Sequence, residues 1–151
     1  MDIRSFKARN GSVLPFSVIG FGTAPLGDLF ELLDEKNCIS TIQEAYAGGV
    51  TIYDTSPHYG NGLSEVRLGT GLRRADRKKI LISTKIGRVM ETMPRPDAPR
   101  DETISPGFLG YFPHQPRFDY SYDGTMRSIE QSLLRMGLDR LDIVLIHDCD
   151  I

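Results

Sequence analysis

The feature that most constrains the fold of this sequence is an alternation of short apolar runs with segments of helical periodicity. Apolar runs typical of buried strands occupy residues 17–23, 50–54, 79–85 and 141–147. Helical segments are predicted from residue 34 to residue 48, over 64–74 and over 123–137. Parallel neighbours in a sheet need a long crossover, usually a helix, so repeated strand–helix units predict an α/β fold with a parallel sheet.

Local signals set the predicted boundaries of the first elements. Asn10-Gly11 lies between two extended stretches and predicts an N-terminal β-hairpin, because this pair favours the turn that joins antiparallel strands. Asp34 is placed to cap the first helix and Gly48 to end it. The hairpin therefore precedes the first strand–helix unit of a parallel sheet that is either doubly wound or a barrel.

The second half of the chain holds a long interruption and a third helix. The stretch from Ile86 to about Ser121 contains six prolines and predicts a long loop of the kind that forms lids or binding surfaces. Asp123 is placed to cap the helix that follows, and Gly137 to end it. The buried face of this helix is predicted to comprise Met126, Ile129, Leu133 and Met136.

Composition argues against several classes of partner. The net charge is −2 and the basic residues form no stripe, so nucleic acids and anionic membranes are not expected partners. Two cysteines, Cys38 and Cys149, imply no disulfide framework. No apolar run has the length of a signal peptide or a membrane span. We therefore expect a cytoplasmic protein that acts on a small molecule.

Polar side chains collect at the ends of three successive predicted strands. Asp54 follows the second strand, Lys85 ends the third and His147 ends the fourth, while Tyr59 lies on the loop just beyond Asp54. In parallel α/β folds, active sites are built at the carboxyl edge of the sheet. We therefore expect these four ionisable side chains to meet at one mouth.

These four side chains suit proton transfer better than covalent catalysis. An ammonium beside a phenol favours the phenolate, so Lys85 would help Tyr59 to give or take a proton. Asp54 would keep the lysine charged, and a neutral His147 could orient a carbonyl oxygen. Proton transfer at a carbonyl needs a hydride partner that side chains cannot supply, so we expect a bound nicotinamide cofactor.

Each residue also has a structural interpretation when it is taken singly. The aspartate could cap a loop, the lysine could extend to solvent, and the tyrosine and histidine could be packing residues. Their shared position favours the catalytic interpretation. A metal-dependent barrel hydrolase is a weaker alternative, because no HxH or HExxH pair is present and Lys85 would be unexplained. Its ligands would be Asp54, His58, His147, Asp148 and Asp150.

The sequence resembles the aldo-keto reductase superfamily over nearly its whole length. The segments that carry this resemblance are IGFGTAPLG, TIYDTSPHYGNGLSEVRLG, ILISTKIGR and MRSIEQSLLRMGLDRLDIVLIHD. The resemblance implies strands one to four of a (β/α)8 TIM barrel and an NAD(P)-dependent oxidoreductase. It implies that Tyr59 is the general acid/base, with Lys85, Asp54 and His147 in support. Gly22, Thr23 and Asp54 would border the cofactor.

The stretch PRFDYSYDGTMRS looks like the branch with D-threo-aldose (L-fucose, galactose) and pyridoxal dehydrogenases, which implies an aldose or small aldehyde or ketone as substrate. Complete barrels take about 250 residues. Residues 1–151 are thus expected to be a truncated domain without strands five to eight, which in the family hold most of the cofactor. Open sheet edges would favour pairing with a second half barrel or self-association. A non-catalytic assembly fragment is the other alternative.

Overall fold

The computed structural model of the chain describes residues 1–93 and 107–150. The strands, in chain order, are β1 (Ile3–Lys7), β2 (Val13–Ser17), β3 (Phe21–Gly22), β4 (Ile52–Asp54), β5 (Leu81–Ile86), β6 (Arg88–Thr92), β7 (His114–Phe118) and β8 (Ile143–Ile146). A four-stranded parallel sheet has the spatial order β3-β4-β5-β8. The prediction of a parallel α/β fold is therefore confirmed.

Three α-helices connect or follow the strands: α1 (Glu35–Ala47), α2 (Leu63–Leu72) and α3 (Tyr122–Met136). The Asp34 side chain accepts a hydrogen bond from Asn37 N at 2.9 Å, so the predicted cap of α1 is confirmed. The predicted cap of α3, Asp123, is wrong: Ser121 accepts from Gly124 N at 3.1 Å. No helix in the described part of the chain is both long and apolar enough to cross a bilayer.

The core lies between the helices and the outer face of the parallel sheet. Its buried apolar members include Ile42 from α1, Tyr53 from β4, Leu68 from α2, Ile82 from β5 and Met136 at the end of α3. These strands and helices are joined by one continuous cluster, and removing such side chains from water is the main favourable term in folding. The sheet is therefore fixed from its outer side.

The N-terminal hairpin is tied to the amino end of the sheet. Strands β1 and β2 pair antiparallel, as the sequence predicts. Thr51, just before β4, donates from its backbone N to Ser17 Oγ at 2.9 Å, and its hydroxyl accepts from Ser17 N at 2.8 Å. The hairpin thus lies at the end of the sheet opposite the predicted mouth.

The first sheet strand is shorter than predicted. The expected strand over 17–23 is reduced to two residues, because Ser17 still belongs to the hairpin and the chain turns before it reaches the sheet. Val18 and Ile19 lie in this turn, 49% and 61% exposed. Their apolar character indicated a buried strand, and that prediction is wrong for these two positions.

The predicted loop from Ile86 to about Ser121 contains a hairpin that the sequence analysis missed. β6 and β7 pair antiparallel, with Met90 opposite Pro116. A proline is tolerated because a strand of a two-stranded hairpin has one side without a ladder partner. The Gln131 amide from α3 bonds both Met90 N and Met90 O, at 3.0 and 2.8 Å, and so fixes the other side of β6. Residues 94–106 of the predicted loop lie outside the described part.

The buried face of α3 also differs from the predicted apolar one. Its buried residues are Gly124, Ser128, Ser132 and Met136, whereas Met126 is 38% exposed. Ser128 Oγ donates to the carbonyl oxygen of Arg88 at 3.0 Å. Small side chains are needed here because the helix approaches the backbone of β6 closely. Met136 is the one member of the predicted face that is fully buried.

The last strand presents an open apolar surface. Val144, Leu145 and Ile146 of β8 are 40%, 46% and 60% exposed. Within the described residues, β8 pairs with β5 on one side and has no recorded strand on the other. Unpaired apolar strand edges are sites where another strand can add.

The contact between α2 and α3 yields a stability prediction. A Cβ at Gly69 would lie 2.2 Å from the carbonyl oxygen of Met136, so Gly69→Ala must push the two helices apart. Three backbone atoms of Met136 lie within 2.7 Å of that Cβ, so the overpacking cost should be in the upper part of about 1–3 kcal/mol and exceed the roughly 1 kcal/mol gained in helix propensity. Chemical denaturation should show a loss, whereas the adjacent exposed Thr70→Ala should change stability by no more than about 0.5 kcal/mol. A stabilised Gly69→Ala variant would contradict this helix contact.

Candidate active site

The structure brings the four predicted catalytic side chains together at the carboxyl edge of the sheet. Lys85 Nζ lies 2.7 Å from Asp54 Oδ2 and 4.8 Å from the centroid of the Tyr59 ring. The His147 ring lies edge-on to that of Tyr59, with 6.0 Å between centroids. Neighbouring parallel strands supply Asp54 and Lys85, and His147 follows β8 directly. This juxtaposition is the one that their positions in the sequence predict.

Asp54 and Lys85 form an ion pair at the ends of β4 and β5. The lysine side chain is 12% exposed, and its ammonium also donates to the carbonyl oxygen of Thr55 at 2.8 Å. Ser83, the register partner of Asp54, donates from its hydroxyl to Asp54 Oδ1 at 2.7 Å. Both carboxylate oxygens are therefore occupied, and a nearly buried ammonium has acceptors that stabilise its charged form.

Tyr59 is held by an unusual turn. Gly60 and Asn61 both have left-handed backbone angles, with φ of 61° and 52°, and they reverse the chain into α2. A Cβ at Gly27 would lie 2.6 Å from the carbonyl carbon of Tyr59, so the loop after β3 presses against this turn. The Asn61 amide donates to the carbonyl oxygen of His114 at 2.7 Å and ties the turn to β7.

Phe108 completes the surroundings of Tyr59 and was missed by the sequence analysis. It is 5% exposed, and its ring stacks on Tyr59 with 6.1 Å between centroids and 29° between planes. The same ring lies edge-on to His58 at 5.3 Å. The residue comes from the segment that was expected to be a long loop, where no periodicity distinguishes one aromatic residue from another. Its position gives the site an apolar wall.

His147 is uncharged at neutral pH because of its surroundings. Burial, the largest cause, lowers the pKa of His147 to about 4. Its Nδ1 lies 3.0 Å from Ser56 Oγ, which also accepts from His58 N at 3.1 Å. Since the serine hydroxyl accepts from the backbone, its hydrogen is available for Nδ1. In the tautomer with hydrogen on Nε2, Nδ1 accepts from this hydroxyl and Nε2 can donate to a substrate oxygen.

Of the residues predicted to border the cofactor, Gly22 lies at an open position and Thr23 at a buried one. A Cβ at Gly22 would meet no atom of residues 1–93 and 107–150 within 4 Å, so nothing in this part of the chain crowds the end of β3 beside Asp54. Thr23 is fully buried, and its hydroxyl donates to the carbonyl oxygen of Asp54 at 3.0 Å while accepting from Ser64 Oγ at 2.7 Å. Thr23 therefore fixes the end of β4, and its contact with a cofactor stays a prediction.

The ligands expected for the alternative metal site do not come together in the described part of the chain. Within residues 1–93 and 107–150, no three His, Cys, Asp or Glu side chains converge closely enough to hold a metal ion. The Asp54 carboxylate is hydrogen-bonded to Lys85 and Ser83, and the Asp148 carboxylate is hydrogen-bonded to the Arg88 guanidinium. The carboxylates of this edge serve cations and hydroxyls of the protein itself.

Comparison with known proteins identifies relatives of the same fold and of one family. The sequence profile of the Aldo/keto reductase family matches residues 18–151. The D-threo-aldose 1-dehydrogenase of a Pseudomonas species is 36% identical over 137 residues, covering 89% of this chain and 41% of the relative. The pyridoxal 4-dehydrogenase of Microbacterium luteolum is 35% identical over 146 residues, covering 94% of this chain and 42% of the relative.

A solved structure agrees with these sequence relatives. The holo form of an aldo-keto reductase from Bacillus halodurans superposes with a TM-score of 0.67 at 25% identity, covering 97% of this chain and 40% of that one. The predicted resemblance, including its aldose and pyridoxal dehydrogenase relatives, is confirmed. The chain spans about two fifths of the length of the curated relatives it matches, 41% and 42%.

Proposed function

Because the chain belongs to the aldo/keto reductase family, we propose that it carries the proton-transfer half of an NAD(P)-dependent oxidoreductase site. The observation that carries this proposal is the Lys85 ammonium, which is paired with Asp54 and lies 4.8 Å from the Tyr59 ring centroid. The reaction interconverts an aldose or a small aldehyde or ketone with its oxidised or reduced partner.

Tyr59 is the general acid/base of this reaction. In reduction its hydroxyl protonates the carbonyl oxygen as that oxygen gains negative charge, and in oxidation the phenolate removes the proton of the alcohol. The Lys85 ammonium stabilises the phenolate that exists on one side of each transfer. Asp54 keeps the ammonium charged and fixed in place.

His147 orients the substrate rather than supplying the proton. Its low pKa keeps the ring neutral, and hydrogen on Nε2 can be donated to the reacting oxygen. A neutral donor binds the carbonyl without competing with Tyr59 as an acid. The rings of Phe108 and His58 both contact the tyrosine ring and cover part of it from water.

The nicotinamide cofactor, when bound, supplies the hydride in reduction and accepts it in oxidation. The residues at the mouth fit such a group, since Gly22, where a Cβ would meet no atom of the described residues within 4 Å, is the register partner of Asp54, and Asp54 is paired with Lys85. Gly22 and Asp54 would border the ring, and the buried Thr23 would hold Asp54 in position.

The names of the two curated relatives favour a small polar substrate. One acts, by its name, on D-threo-aldoses and the other on pyridoxal. We propose oxidation of an aldose at its C1 hydroxyl to a lactone, or the same chemistry on a similar small alcohol. The charged and hydrogen-bonding mouth suits a hydroxylated molecule. We also propose a cytoplasmic location, in keeping with a chain of two cysteines.

We further propose that the exposed edge of β8 pairs with a strand from a second half barrel. Val144, Leu145 and Ile146 are exposed on this strand, and burying them would add about 25 cal/mol per Å² of apolar area removed from water. A non-catalytic assembly role would use the same edge but would not need Tyr59 or Lys85. Measured turnover distinguishes the proposed oxidoreductase function from the non-catalytic assembly role.

The proposal is tested by cofactor binding and turnover in two proteins. The first is the chain itself; the second, here named the completed barrel, joins residues 1–150 to the part of the Pseudomonas D-threo-aldose 1-dehydrogenase that follows the matched region. We expect weak, non-saturating NADH and NADPH fluorescence titrations for the chain, and saturable binding for the completed barrel. The completed barrel should also oxidise aldoses, followed by absorbance of the reduced cofactor. A folded completed barrel that binds cofactor yet shows no turnover with any aldose or aldehyde would contradict the proposal.

A further inference from the structure

Arg88 is a buried cation beside the site that the proposed function does not use. It is the first residue of β6, directly beyond the end of β5, and is 4% exposed. Its Nη2 donates to Asp148 Oδ2 at 2.7 Å, and its Cζ lies 4.4 Å from the centroid of the Phe118 ring. Among the described residues, its Nε and Nη1 have no hydrogen-bond partner. Asp148 is therefore the carboxylate on which this guanidinium depends in the described part of the chain.

The same carboxylate oxygen stands next to the proposed substrate-orienting histidine. Asp148 Oδ2 lies 3.8 Å from His147 Nε2, outside hydrogen-bond distance. The backbone here is constrained, because Asp148 has a φ of 47° and the Tyr120 hydroxyl contacts both carbonyl oxygens, at 2.6 Å for His147 and 2.9 Å for Asp148. This carboxylate oxygen is thus bonded to the guanidinium and lies near the imidazole without being bonded to it.

We propose that Arg88 is a positioning residue that keeps His147 uncharged and its Nε2 free for substrate, by holding the Asp148 carboxylate in an ion pair. The inference rests on the proposed function, in which a neutral His147 donates to the reacting oxygen. Without the guanidinium, the carboxylate is free to bond Nε2. That bond would favour the imidazolium and occupy the atom that faces the substrate.

The charged groups around His147 act in opposite directions. Burial lowers the pKa of His147 most; among the charged groups, Asp148 raises this pKa and Arg88 from the neighbouring hairpin lowers it. From the strand ends, Lys85 lowers the same pKa and Asp54 raises it. The rings of His58 and Tyr59, from the loop after β4, face the imidazole edge-on, and the Tyr120 hydroxyl bonds the backbone carbonyl of His147. Burial disfavours the Asp148 carboxylate, yet the Arg88 hydrogen bond lowers the pKa of Asp148 and keeps it ionised. Arg88 is therefore the group whose removal turns Asp148 toward the histidine.

The test is an NMR titration of the histidine rings in the 151-residue chain, which has three histidines. In Arg88→Met, the proton affinity of His147 should rise by about 10- to 1000-fold, the range expected when an opposite charge comes within reach. Arg88→Lys keeps a cation beside Asp148 and should leave His147 close to its original midpoint. An unchanged His147 midpoint in Arg88→Met would overturn the proposal.

A double variant separates this electrostatic role from a merely structural one. Arg88→Met combined with Asp148→Asn should return His147 to a low midpoint, since no carboxylate is left to pair with it. A midpoint that stays raised in the double variant would mean that Arg88 acts through packing, and would overturn the proposal. If Arg88→Met fails to fold, the single variant Asp148→Asn provides the test. Its His147 titration midpoint should fall or stay low. A rise in that midpoint would contradict the role given to Asp148. None of these readouts depends on turnover, so failure of the proposed function is seen separately.

Discussion

Replacing Tyr59 with phenylalanine is expected to reduce turnover of the completed barrel by roughly 10²–10⁴-fold, the usual contribution of a positioned general acid/base. The change removes one oxygen and leaves the aromatic ring against Phe108 and Lys85. Packing at the site is therefore preserved while the proton is lost. The rate constant for aldose oxidation, measured at saturating cofactor, reports the effect.

Cofactor affinity and a second tyrosine provide the controls for this variant. The dissociation constant of NADPH or NADH should change little, because the hydroxyl is proposed to act on the substrate oxygen. Tyr122→Phe removes the same atom from a residue that is 78% exposed at the start of α3, and should turn over like the parent. Parent-like turnover in Tyr59→Phe would remove Tyr59 from its proposed role.

Arg67→Met is expected to destabilise the chain by about 3–5 kcal/mol, because it leaves a buried carboxylate without its cation. Arg67 lies on α2 with a side chain that is 5% exposed, and it pairs with Asp28, which is 7% exposed, and with Glu35 at 2.7 Å. It also donates to the carbonyl oxygen of Leu26 at 2.8 Å. Although burial disfavours its charge, the bonds to both carboxylates raise the pKa of Arg67.

The loss should extend from stability to the shape of the site. Asp28 accepts from Leu33 N at 3.2 Å, and its carbonyl oxygen accepts from Leu109 N at 2.9 Å, so it links the loop after β3 to the segment that carries Phe108. Chemical denaturation measures the free energy of unfolding of the variant. Arg127→Met, a matched change at an exposed position of α3, should alter it by no more than about 0.5 kcal/mol. Equal small effects for both variants would mean that this buried pair contributes little.

Much of the fold follows from local sequence signals. Strand–helix alternation fixed the parallel sheet, since the runs ending at Asp54 and Lys85 have the composition of strands covered on their outer side. Asn10-Gly11 placed the N-terminal hairpin. Asp34 and Gly137 marked helix ends because their side chain or backbone freedom satisfies groups that a helix leaves unpaired. These signals act within a few residues of the chain.

The missed features depend on contacts between distant residues. The β6–β7 hairpin is stabilised by Gln131 from α3, and the sequence around Pro116 contains no signal that predicts this contact. α3 buries serines because it lies against β6, so apolar periodicity pointed to the wrong face. Val18 and Ile19 looked buried only because a turn is not visible in composition.

In the candidate site, too, some features follow from local sequence signals and others depend on contacts between distant residues. The positions of Asp54, Tyr59, Lys85 and His147 follow from strand ends, a rule that applies to any parallel sheet. The side chains around them do not: Ser56, Phe108 and Arg88 contact His147, Tyr59 and Asp148, respectively, from distant parts of the chain. No local pattern in the sequence indicates these contacts.

The central claim is that Lys85 promotes catalysis through the Tyr59 proton, and a double-variant cycle in the completed barrel tests it most directly. Turnover is measured for the parent, Tyr59→Phe, Lys85→Met and the double variant. If the ammonium acts by stabilising the phenolate, it has nothing to stabilise once the hydroxyl is gone, and groups that act as a unit are strongly non-additive. We therefore expect the double variant to be about as slow as Tyr59→Phe alone. Two losses that multiply in the double variant would show that Lys85 works independently of Tyr59 and would contradict the claim.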